Sequence, residues 1–161
     1  MISAPIPTNE KARLEALHRL AILGTKPEER FDALTKEAVE KLHVSISTLS
    51  ILDKDREWYK SGQGIKEKEG KRSVSFCGHA LLAKSVFIVE DTLKDERFRD
   101  NPSVKGYPYV RFYAGVALFD YKSGLPMGVF CVKDTKPREL SSKEIAVLVE
   151  LAQRAEEELN K

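Results

Sequence analysis

The sequence predicts an α+β fold: a central, mostly antiparallel sheet with the N- and C-terminal helices on one face and a short helix and a long loop roofing the other. Three observations predict it. Apolar residues recur at helical spacing near both chain ends, period-two and hairpin patterns occupy the middle, and one excursion between strands is rich in Asp, Asn, Pro and Gly.

The first helix is expected over 9–23, where Thr8 can cap a segment carrying Leu14, Leu17 and Ala21, and Gly24 supplies a stop. Thr25 and Glu28 have the spacing of a capping box, with Pro27 in the first turn. They open a second helix whose Phe31, Leu34, Ala38 and Leu42 share a face and which ends near His43. Residues 46–52 then carry apolar side chains on both alternating faces, as in a central strand covered on each side. A turn at Asp53-Lys54-Asp55 leads to a second strand over 57–61 and to a loop through the charged run 66–72. Residues 73–82 are read as a loop entering a short helix, and 86–89 as a third strand. Between Asp91 and Val110 a long excursion with a helical turn or two is expected, of the kind that often carries function. Strands over 112–119 and 127–133 form a hairpin across Tyr121-Lys122-Ser123-Gly124. The last helix is the best-marked element: Ser141 and Glu144 form a capping box, Leu140 and Ile145 a hydrophobic staple, and Leu148, Ala152, Ala155 and Leu159 continue the stripe.

With 161 residues, 42% of them apolar and 32% charged, the chain is read as one domain over 1–161 with one main core. A net charge of +2 from 27 basic and 25 acidic residues, interleaved along the chain, argues against nucleic acid as a partner. The alternating run Lys66 to Arg72 reads as a solvated loop. No apolar stretch reaches membrane-spanning length, the N-terminus lacks the pattern of a secretory signal, and only Cys77 and Cys131 are present, so a cytoplasmic, membrane-free location with reduced thiols is expected. Gly62-Gln63-Gly64 follows a strand, but the charged loop after it is no helix N-terminus for a phosphate, which removes the dinucleotide reading. Cys77-Gly78-His79 lacks the spacing of a zinc site, and no metal or cofactor is expected.

Polar residues collect around the loops that should roof the sheet: Cys77, His79, Asp91, Asp95, Arg97, Asn101 and Arg111. Arg97 and Arg111 could recognise an anion, or could pair with Asp91 or Asp95 and hold the excursion in shape. Asn101-Pro102 can simply start a turn, and His79 can be a ligand contact or a histidine hydrogen-bonded in place. Phe98, Phe112 and Tyr113 read as core or pocket wall.

Taken in order, these residues resemble the GAF sensory domains, in the bacterial subgroup found ahead of histidine kinases and diguanylate cyclases. The marks are Asn9-Glu10 with Arg13-Leu14, Pro27-Glu28 with Arg30-Phe31-Asp32, Asp55-Arg56 with Trp58-Tyr59-Lys60, and Ser75-Phe76-Cys77-Gly78-His79-Ala80. They continue through Asp95 with Arg97-Phe98, Asn101 to Gly106, Arg111 to Gly115, and Gly128 with Cys131-Val132 and Asp134. The resemblance implies a ligand pocket roofed by 75–82 and by the excursion, lined by Ser75, Cys77, His79, Asp91, Asp95, Arg97, Phe98, Asn101, Arg111, Tyr113 and Cys131. It also implies a homodimer through the terminal helices. The signature of cyclic-nucleotide-binding relatives is missing, and Gly78 separates Cys77 from His79 where bilin-binding relatives have adjacent Cys and His.

A non-catalytic sensor of a small polar or anionic molecule is therefore the expected function, its signal passing through the helices to a partner protein because no output domain follows Lys161. Two alternatives are an interaction module with a vestigial pocket and a thiol enzyme of the free methionine sulfoxide reductase type. Two cysteines leave little room in the latter for nucleophile, resolving and recycling thiols.

Overall fold

A computed structural model describes residues 1–161. Six strands form a single antiparallel sheet: β1 (Ile46–Leu52), β2 (Arg56–Gln63), β3 (Glu69–Lys71), β4 (Phe87–Val89), β5 (Phe112–Phe119) and β6 (Pro126–Asp134), in the order β3-β2-β1-β6-β5-β4. Helices α1 (Glu10–Leu20), α2 (Glu29–Leu42) and α5 (Ser142–Leu159) cover one face, while α3 (Phe76–Ala80) and α4 (Pro102–Lys105) belong to the roof over the other. No helix is long and apolar enough to cross a membrane.

Period-two alternation sends each strand's residues to opposite layers. Leu49 and Ile51 of β1, Phe130 and Val132 of β6, and Phe112, Ala114 and Leu118 of β5 join Phe31, Leu34, Ala38, Leu148 and Ala152 in the larger core under the helices. The opposite positions, Leu52, Tyr113, Val129 and Cys131, meet Phe76, Cys77, Ala80 and Leu81 of the roof in a second core. Ion pairs Arg30–Glu158 and Arg154–Glu37 link α2 to α5 at the surface.

The C-terminal helix forms as expected, its capping box intact in both directions between Ser141 and Glu144. Removing the cap with Ser141→Ala should lower stability by about 1 kcal/mol, because a first-turn N–H loses its acceptor; a urea midpoint unchanged from wild type would count against that role.

Three expectations need correction. Helix α1 stops at Leu20, where Ala21 takes a left-handed conformation (φ 54°) three residues ahead of Gly24, and neither Thr8 nor its N-cap Asn9 caps it through a side chain. Thr25 and Glu28 make no capping box: α2 starts at Glu29, and the Thr25 hydroxyl instead donates to the Ile22 carbonyl (2.6 Å) and accepts from Lys60 Nζ (2.7 Å). The charged run conceals the edge strand β3, whose Arg56↔Lys71 register extends the sheet.

An extended N-terminal segment crosses the roof. Ile2 N–H donates to the Arg97 carbonyl (3.1 Å), Ala4 N–H to the Ser73 carbonyl (3.2 Å), and the Ile2 carbonyl meets His79 Nε2 (3.1 Å). Glycine at 78 permits this approach, since a Cβ there would lie 2.6 Å from that of Ala4.

Candidate functional site

The roof-side face of the sheet carries a buried polar cluster where a hydrocarbon core would be expected. Across β2, β1 and β6, register places Glu57 opposite Leu52, Tyr59 opposite Ser50, Cys131 opposite Thr48 and Lys133 opposite Ile46, so the alternate residues of three strands share this face. Glu57 is 3% exposed and Lys133 7%. Ser50 Oγ donates to Glu57 Oε2 (2.6 Å), and Ser75 Oγ, from the roof, donates to Oε1. The Thr48 hydroxyl lies 2.8 Å from Ser50 Oγ and 3.1 Å from Cys131 Sγ, and Tyr113 donates its hydroxyl hydrogen to Cys77 Sγ (3.1 Å).

Lys133 Nζ has no hydrogen-bond or ion-pair partner; it lies 5.9 Å from the Phe76 ring centroid and 6.0 Å from that of Tyr113. Burial opposes its charge, yet Glu57 and Cys131 nearby outweigh that and hold its pKa above the usual lysine value. Burial pushes the Cys77 thiol well up. Burial also acts to raise Cys131, but the neighbouring Cys77 thiol and the ammonium of Lys133 bring it down to about 7. Tyr59 is raised by burial and by Glu57.

Of the residues singled out from sequence, the fold brings Ser75, Cys77, Tyr113 and Cys131 into this cluster. Phe98 and Asn101 form the layer above it. Phe98 stacks on Phe76 with ring centroids 4.3 Å apart, and Asn101, the N-cap of α4, donates from Nδ2 to the Val74 carbonyl (2.9 Å). The charged residues of the excursion do not join them. Arg97 pairs with Asp95 (2.7 and 3.0 Å) over the Phe87 ring, Arg111 with Asp91 (3.0 Å), and Asp91 also caps the turn at Leu93. Both arginines thus hold the excursion in shape. His79 sits half-buried between the Phe98 ring and the Ile2 carbonyl, and burial lowers its pKa.

Phe76, Phe98, Tyr113 and Val129 pack together between roof and sheet. Surface clefts of about 460 Å³, between the α1–α2 loop and the β2–β3 turn, and about 550 Å³, beside Lys54, Lys71 and the N-terminal segment, lie away from these residues.

Sequence reading missed Thr48, Ser50, Glu57, Tyr59 and Lys133. The usable signal was the alternation of Thr48 and Ser50 with Leu49 and Ile51, repeated as Glu57 and Tyr59 around Trp58 and as Cys131 and Lys133 around Val132.

An antiparallel sheet clamped by terminal helices on one face and roofed over a polar centre on the other has the architecture of sensory signalling modules. The chain belongs to the GAF domain family, whose model matches residues 26–159. It is 37% identical over 153 residues to a cyclic di-GMP phosphodiesterase of Pseudomonas aeruginosa; the match takes in 94% of this chain and 26% of that protein, so the chain spans about a quarter of that relative's length. Among solved structures it resembles the GAF domain of an Acinetobacter phosphoenolpyruvate-protein phosphotransferase (TM-score 0.64, 17% identity, 92% of each chain). It also resembles the free methionine-R-sulfoxide reductase of Neisseria meningitidis in complex with its substrate (TM-score 0.62, 18% identity, 99% of this chain and 96% of that one). At these identities the structural likeness speaks for the fold.

Proposed function

We propose that this chain is a regulatory GAF domain that senses a small anionic or zwitterionic molecule at the Glu57–Lys133 cluster and acts by binding rather than by turnover. The observation that carries this reading is Lys133, a residue 7% exposed whose ammonium has no hydrogen-bond partner in the protein. Glu57 and Cys131 nearby favour its charge, but its N–H groups have no protein acceptor, and an anionic group seated on it would supply one. Glu57, already accepting from Ser50 and Ser75, would face the cationic end of a zwitterion.

Entry would require α3 to lift from the sheet, since aromatic rings occupy the space beneath it. That displacement reaches the helical face through Arg72, just ahead of α3, whose guanidinium binds Glu10 at the start of α1. The terminal helices would carry the signal to a second copy or to a partner protein, in the cytoplasm. The similarity to part of a cyclic di-GMP phosphodiesterase supports a role in controlling a catalytic domain of signalling.

Thermal-shift titration with amino acids, dicarboxylates and inorganic phosphate tests this. A ligand at 100 times its Kd should add about 2.7 kcal/mol, roughly 5–10 °C for a domain of this size, and Lys133→Met should abolish the shift. Failure of all these probes at millimolar concentration would overturn the reading.

The filled space under the roof favours a second reading, an interaction module whose terminal helices are the working surface. Sedimentation distinguishes it: self-association through those helices is expected, and a strict monomer at high concentration that also binds no partner on its helical face would remove it.

A further inference from the structure

Residues 1–7 belong to no helix or strand, yet they touch three separate parts of the roof. Ala4 N–H donates to the Ser73 carbonyl ahead of α3, the Ile2 carbonyl meets His79 on α3, and Ile2 N–H donates to the Arg97 carbonyl in the excursion. We infer that this segment is a strap that pins α3 to the excursion and keeps the Glu57–Lys133 cluster closed, so that its release sets how often the cluster opens. The purpose of the strap rests on the ligand-binding reading of that cluster, whereas the opening itself is measured with no ligand present.

The grip of the strap is slight. Ala4 is the only buried residue among the first seven, and Ile2 and Ile6 are each more than half exposed. A few hydrogen bonds and one buried methyl make a segment that detaches at a free energy well below that of global unfolding. What it holds is slight too, since α3 has five residues and is too short to persist without its neighbours.

The helix it pins is the element that shuts the cluster. Ser75, the N-cap of α3, donates to Glu57, and the Phe76 ring lies 5.9 Å from Lys133 Nζ. Lifting α3 withdraws both groups in one motion. A ligand for the cluster binds the opened molecules alone, so its apparent affinity is reduced by the fraction of molecules that are open, and loosening the strap raises it.

The fit at Gly78 separates the strap from the helix beneath it. A Cβ at 78 would lie 2.6 Å from Ala4 Cβ, while its next neighbours, the Arg72 carbonyl oxygen at 3.4 Å and Ser75 Cβ at 3.7 Å, stand at ordinary contact distance. Alanine is also a better helix former than glycine. Gly78→Ala therefore favours α3 itself and expels only the strap, and Ala4→Gly gives the space back.

Native protein is incubated with iodoacetamide, and labelling of Cys77, wholly buried on α3, is followed by peptide mass spectrometry. Deleting residues 2–6 and Gly78→Ala should each speed labelling by roughly tenfold, the change that two hydrogen bonds of ordinary net strength control. Combining Ala4→Gly with Gly78→Ala should return the rate most of the way to wild type. Urea melts of the same proteins give the rate that global unfolding alone allows, and Cys77 should be labelled faster than that in each of them. Equal rates in wild type and the deletion variant would overturn the inference, as would labelling no faster than global unfolding permits. A Gly78→Ala rate that Ala4→Gly leaves unreduced would assign the effect to α3 itself and overturn it as well.

Discussion

Replacing Glu57 with alanine should destabilise the domain by about 3–4 kcal/mol, a fall in melting temperature of roughly 6–16 °C. Its carboxylate accepts from Ser50 and Ser75 and is the opposing charge that acts most strongly on Lys133, so alanine leaves two buried hydroxyls without their acceptor and an ammonium without its main compensation. Glu57→Gln should cost less, about 1–2 kcal/mol, because the amide oxygen can still accept a hydrogen bond while the charge is gone. Paired urea melts of the two variants separate the hydrogen-bond part from the charge part. A Glu57→Ala melt within about 0.5 kcal/mol of wild type would mean that the cluster is solvated and not a closed polar core.

Comparable in size is the effect expected at Glu10, which lies between two buried guanidinium groups. Arg13 is wholly buried and Arg72 nearly so, and both hydrogen-bond the Glu10 carboxylate, Arg13 Nε at 2.7 Å. Glu10→Ala should cost about 3 kcal/mol, since each guanidinium keeps its burial and loses its counter-charge. Burial acts to raise the Glu10 pKa, but the two arginines outweigh it and hold the group below its ordinary value of 4.5. A depressed carboxylate contributes stability that is fully present above its unfolded-state pKa and is lost as pH falls through the folded-state value. Wild-type stability should therefore decline below about pH 4.5, and Glu10→Gln should flatten that decline while leaving the slope above it unchanged. An acid limb identical in the two proteins would show that other carboxylates control it.

Much of the fold was legible because its signals are local. The last helix announces itself through Ser141, Glu144 and an apolar stripe, and these depend on nothing outside the segment. Thr25 and Glu28 have the same local spacing, yet Lys60, far along the chain, takes the Thr25 hydroxyl and Glu28 together, and the box does not form. Strand β3 was hidden because three residues at a sheet edge, two of them charged, need only backbone pairing to extend.

The candidate site divides along the same line. Arg97 and Asp95 are two residues apart, so their pairing was foreseeable from the chain, as was a turn at Asn101. Ser75, Cys77, Tyr113 and Cys131 came through the family resemblance. Glu57 and Lys133 did not, because a charged residue in a strand ordinarily reads as facing water. Only the strand order β2-β1-β6 reveals that their faces coincide and that a roof covers both.

The first residues of the chain have a practical consequence of their own. Ala4 is tucked against Gly78, Ile2 is bonded to Arg97 and His79, and the terminal amine reaches Asp100. Any polypeptide appended ahead of Met1, whether an affinity tag or an experimental fusion, emerges at the roof over the buried polar cluster and acts as a handle on that cover. Engineered reporters of this domain are better attached behind Lys161, where the chain leaves from the opposite layer.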